Sequence, residues 1–166
     1  MASPRSSRLP WLAVAVLAGL AAAFLVATFM DPWQEAVPVD EVRSEGVVYL
    51  PGPNVFLVDD EGEVVALGGW SPHTPDRAEK VLFCRSSEQF VGAHGERFDI
   101  RGSYFAGPAP RGLAPVSLKV EGGMVYVDPG RVGTGADRTE AALEPAGRFC
   151  AEDADEAEPG FLESPT

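Results

Sequence analysis

Val47 to Leu67 reads VVYLPGPNVFLVDDEGEVVAL, three apolar runs separated by two breaks. Pro51-Gly52-Pro53-Asn54 stops the first run, and Asp59-Asp60-Glu61-Gly62 turns the second, Val55–Val58, into the third. Short runs rich in β-branched and aromatic residues, bounded by Pro, Gly, Asn and Asp, predict strands, and the last two predict a hairpin. The same signal recurs downstream at Val81–Phe83, Gln89–Val91, Val116–Val120 and Met124–Val127. The last pair is joined by Glu121-Gly122-Gly123, a hairpin-type turn. No segment after Phe29 carries a helical apolar repeat. The expected unit is therefore a small, mostly β, antiparallel domain over residues 46–129, with long loops around 68–80, 92–97 and 102–112.

Upstream, Trp11 to Phe29 is a run of 19 residues without a charge and with Thr28 as its one polar side chain. At about 1.5 Å per residue such a run spans a hydrocarbon core of roughly 30 Å. It also exceeds the roughly 7–15 apolar residues of a cleaved signal, so a transmembrane helix is predicted over 11–30. Arg5 and Arg8 precede it, while Asp31, Glu35, Asp40 and Glu41 follow it. That bias puts residues 1–10 in the cytoplasm and the β domain on the exoplasmic side of the cell membrane, with a single pass and the bilayer as first partner. Residues 31–45, with Pro32, Pro38 and five acids, are expected to be a linker. Residues 130–166 are expected to be an acidic tail without fixed structure, which Leu143, Phe149 or Phe161 could pin back onto the domain.

The whole chain has 166 residues and a net charge of −12. Because Arg5 and Arg8 stand alone at the N-terminal end, residues 31–166 hold 11 bases against 25 acids. That balance excludes nucleic acid as the main partner. Two cysteines, Cys84 and Cys150, are too few for a Cys₄ metal site and too far apart for a CxxC redox pair. In an oxidising compartment they would be expected to pair with each other. No GxGxxG, P-loop, GxSxG or HExxH is present, and no catalytic residue is assigned.

The chain's two histidines stand in the loops Ser71-Pro72-His73 and Val91-Gly92-Ala93-His94-Gly95. Seventeen residues separate His73 from Val91. This resembles the ligand pattern of the Rieske [2Fe–2S] proteins, a CxH motif followed after roughly 15–17 residues by CxxH, in which cysteines hold one iron and histidines the other. Phe90 to Asp99, FVGAHGERFD, is similar to the family's FxCPCHGSRFD segment. Gly107-Pro108-Ala109-Pro110-Arg111 resembles its GPAPR loop, which lies over the cluster, and Cys84-Arg85-Ser86-Ser87 resembles its WCxSS hairpin. The resemblance covers about residues 46–128 and, with the N-terminal anchor, points to Rieske subunits of cytochrome bc-type quinol:cytochrome c oxidoreductases.

What the resemblance implies is qualified at the ligand positions themselves. Ser71 and Val91 stand where cysteine is required, and Asp76 and Ala93 stand where the family's loop-to-loop disulfide would be. Valine has no donor atom, and a serine oxygen is harder and far less acidic than a thiolate. The implied reading is a Rieske-like subunit of a respiratory electron-transfer complex without a cofactor or catalytic activity of its own, in which His73 and His94 are vestigial. One alternative is an active [2Fe–2S] carrier with unusual ligands. Another is a free-standing anchored binding module, and a mononuclear metal such as zinc on His73 and His94 would need help from Asp76 or Asp99.

Overall fold

The structure, a computed structural model, describes residues 31–139 and 160–162. By its contacts the chain divides into Met1–Pro32 and Trp33–Thr166. The cytoplasmic segment and membrane helix expected over 1–10 and 11–30 lie outside the described residues. Among the described residues, no helix is long and apolar enough to cross a membrane.

The second unit is mostly β. Its strands are β1 (Gln34–Pro38), β2 (Val47–Leu50), β3 (Val55–Asp60), β4 (Glu63–Gly68), β5 (Leu82–Cys84), β6 (Gln89–Val91), β7 (Arg97–Phe98), β8 (Tyr104–Ala106), β9 (Val116–Glu121), β10 (Met124–Val132) and β11 (Phe161–Leu162). A short helix, α1 (Val39–Glu45), follows β1. The strands form three sheets, ordered β2-β3-β4, β1-β10-β9 and β11-β5-β6-β7-β8. Every pairing is antiparallel except β11 with β5.

The opening stretch of sequence becomes the β2-β3-β4 sheet, with Val55 opposite Gly68 and Asp60 opposite Glu63, so Asp59 and Asp60, expected in the turn, belong to β3. Glu61 and Gly62 turn the hairpin in left-handed conformation, φ 55° and 93°. Val55, Phe56, Leu57 and Val58 are all buried because this sheet is covered on both faces. Phe56 and Val58 join Phe83, Phe90, Phe98, Leu113 and Phe161 in one core cluster. Val55 and Leu57 join Val39, Val42, Val116, Val125 and Val127 in another. Side-chain alternation along a strand thus feeds two cores, which explains the continuous apolar run.

Two expected boundaries change. Residues 34–45, read as a linker, are part of the fold: β1 pairs with β10, and α1 buries Val39 and Val42 under the central sheet. Val37, Val39 and Val42 are few apolar residues among many acids, so the signal was diluted below that of a helix or strand. The expected tail 130–166 begins inside a strand, since β10 runs to Val132, and Arg111 and Asp137 form a further isolated bridge. Phe161, in the acidic run, sits in the core 6% exposed and forms T-shaped contacts with Phe56 and Phe83. The strands β7 and β8, two and three residues long, were too short to show a periodic pattern.

Candidate functional site

The five-stranded sheet positions both histidine loops. The connection from β4 to β5 carries Ser71 and His73, and is closed by an antiparallel bridge between Trp70 and Lys80. Within it the Ser71 N–H donates to the Glu79 carbonyl at 2.9 Å. The connection from β6 to β7 is a tight loop following the Val91–Arg97 pair. The Gly92 N–H donates to the Glu96 carbonyl at 2.9 Å, and the Gly95 N–H to the Gly92 carbonyl at 3.1 Å. Gly95, at φ 80°, takes a left-handed conformation that glycine adopts at little cost.

These loops bring His73 and His94 together, with ring centroids 5.3 Å apart and planes at 73°. Both rings lie at the surface. His94 Nε2 lies 3.0 Å from a carboxylate oxygen of Glu79, so the first loop also reaches the second through a side-chain hydrogen bond. The carboxylates expected to help a metal do something else. Asp99 accepts the N–H groups of Arg101 and Ser103 at 3.0 and 2.7 Å and caps its own turn. Asp76 lies in a 3₁₀ turn, Pro75–Arg77, at φ 60°. Among the described residues, no group of three or more His, Cys, Asp or Glu is arranged to hold a metal ion.

The space between the loops is organised around Glu96. This residue is fully buried, and Ser71 is 3% exposed. The Ser71 hydroxyl donates to one Glu96 carboxylate oxygen and accepts the His73 N–H at 3.2 Å. The other carboxylate oxygen accepts the His94 N–H at 3.1 Å. One side chain therefore ties both histidine loops together, and each of its oxygens finds a donor, as burial of a carboxylate demands. Gly92 makes room for it: a Cβ there would lie 2.2 Å from the carboxylate carbon.

The Gly107–Pro110 loop covers this arrangement. Gly107, at φ 91°, lies so close that a Cβ would come within 2.5 Å of the Glu96 Cα and the Gly95 carbonyl oxygen. Its carbonyl accepts the Tyr104 hydroxyl at 2.8 Å. Ala109 is buried in the core, while Pro108 and Pro110 are exposed. Cys84 is fully buried on β5 and disulfide-bonded; the chain's other cysteine, Cys150, lies outside the described residues.

A [2Fe–2S] cluster of the Rieske type takes two thiolates and two imidazoles. The residues present do not fit it. Ser71 has its oxygen committed to Glu96 and the His73 N–H, and Val91, half-buried at the end of β6, offers no donor. Sequence reasoning missed Glu79 and Glu96. Glu79 carried no signal, but Glu96 did: it stands in FVGAHGERFD where FxCPCHGSRFD has serine.

No family model matches the chain, and no curated protein matches it. Among solved structures, the chain is similar to the cyanobacterial plasma membrane Rieske protein PetC3 from Synechocystis PCC 6803, with 22% sequence identity over 57% of this chain and 97% of that one and a TM-score of 0.47.

Proposed function

We propose that the chain is a membrane-anchored, Rieske-like subunit of a respiratory electron-transfer complex, that it carries no [2Fe–2S] cluster, and that its role is structural. The observation that carries this reading is the Ser71–Glu96 hydrogen bond between the two histidine loops. In the family the chain resembles, ligands from these two loops meet at the cluster, which holds them together. Here a buried carboxylate ties the loops instead, with Gly92 and Gly107 clearing space around it. A domain whose ligand site is closed by its own side chain keeps its shape and surface and has no redox centre there. The membrane anchor rests on the 19-residue apolar run and on Arg5 and Arg8 before it.

Extraction of the tagged full chain in mild detergent tests the complex assignment. The chain is expected to co-purify in fixed stoichiometry with cytochrome-containing membrane subunits. Recovery as a lone protein under conditions that keep such complexes intact would overturn membership and favour a free-standing anchored module.

A further inference from the structure

A cleft of about 320 Å³ opens between the Ser71–Arg77 segment, the Arg111–Val116 stretch and the end of β10. Its size is at the lower end of the roughly 300–1,000 Å³ common for small-molecule sites. The walls are partly apolar, with Trp70, Val55 and Val132 among the lining residues.

Four polar groups in this lining lack partners among the described residues. Asn54 is 3% exposed; its carbonyl oxygen accepts the Tyr49 hydroxyl at 2.7 Å, while its amide nitrogen has no hydrogen bond. The Thr74 hydroxyl is likewise buried without a partner. Arg77 and Arg111 both line the cleft, are exposed, and form none of the ion pairs found among the described residues. In a chain with 25 acids and 13 bases, two arginines without carboxylate partners on one cleft are unexpected on charge grounds. The one acid in the lining is Asp76. Buried donors left unsatisfied are costly, and a ligand that accepts from them removes that cost. Guanidinium groups recognise carboxylates and phosphates by charge-assisted, often bidentate hydrogen bonds.

We propose that this cleft is a binding site for a small organic oxyanion, a carboxylate or phosphate carried on a compact apolar body. Arg77 and Arg111 bind the anionic group, the Asn54 amide and Thr74 hydroxyl orient it, and Trp70 packs against the body. Ser71, which bonds to Glu96, also lines the cleft, so the two adjoin, but the proposal does not depend on the cluster-free reading.

Calorimetric titration of the full chain in detergent with phenyl phosphate, benzoate, inorganic phosphate and benzyl alcohol tests it. Saturable binding is expected for phenyl phosphate or benzoate, at least about tenfold tighter than for inorganic phosphate or benzyl alcohol, and whichever of the two binds better identifies the anionic group. Arg77→Gln and Arg111→Gln are each expected to weaken that binding about tenfold while Arg→Lys at either position retains part of it. Both arginines are exposed, and unchanged circular dichroism checks that the variants fold. Ligand-induced change in tryptophan fluorescence is expected to vanish in Trp70→Phe. No saturable binding of either aromatic anion, or binding that survives both arginine-to-glutamine changes, would overturn the proposal.

Discussion

Replacing Glu96 by alanine removes a buried side chain and leaves the Ser71 hydroxyl and the His94 N–H without an acceptor. Unsatisfied buried donors and the cavity together are expected to cost about 2–4 kcal/mol, read as a lower midpoint of thermal unfolding. Ser71→Ala should cost about 1–3 kcal/mol, and the double variant less than the sum of the two, since the pair acts as one unit. Gly92→Ala sharpens the test. A Cβ there collides with the Glu96 carboxylate, so the change is expected to destabilise the chain by about 1–3 kcal/mol and to be better tolerated beside Glu96→Ser. Equal costs in both backgrounds would count against Glu96 as the occupant of that space. On the β1–β10 pair, the Tyr126 hydroxyl donates to Glu35 at 3.2 Å, and this hydrogen bond, ahead of burial and nearby carboxylates, holds the phenol above its usual ionisation range. The contact therefore stabilises the fold fully below about pH 10 and is lost as the phenol ionises above it. In a 295 nm titration, the difference between the wild type and Tyr126→Phe should show a component that ionises above the usual phenol range.

Among the elements, β1, α1 and β11 lie outside the stretch whose sequence reads as strands. Val42 on α1 is fully buried, and Val42→Ala is expected to cost about 2 kcal/mol. A surface linker would tolerate the same change within about 0.5 kcal/mol. Phe161 on β11 packs on Phe83 and carries the Arg85 guanidinium 4.0 Å from its ring centre, so Phe161→Ala should cost about 3 kcal/mol. An unchanged unfolding midpoint would show that β11 adds nothing to the core. The contrast with β3 explains what the sequence could reveal. Val55–Val58 is a dense apolar run between turn residues, and its hairpin partner Glu63–Gly68 follows four local residues later, so both strands were legible. β1 and β11 are held by pairing with β10 and β5, distant in sequence, and no local periodicity records such pairing. The site divides in the same way. His73 and His94 were found by their spacing, but Glu79 meets His94 only because the Trp70–Lys80 bridge folds the loop back. Glu96 could be read as an odd residue in a motif, and its bond to Ser71, 25 positions away, required the fold.

On the scale of the whole molecule, the proposed topology has the basic N-terminal end in the cytoplasm and the acidic β unit outside. A membrane-impermeant label applied to intact cells is therefore expected to react with a tag at the C-terminus and not with one at the N-terminus; the reverse pattern would invert the topology. Under the proposed function, the Glu96 carboxylate joins the two histidine loops and no cluster lies between them. The most direct test is iron and acid-labile sulfide content, with EPR after reduction, on the full chain purified anaerobically in mild detergent. Neither iron nor sulfide above background is expected, and no signal. About two irons and two sulfides per chain with a Rieske-type spectrum would contradict this expectation, and would require ligands other than Ser71 and Val91 at the first iron.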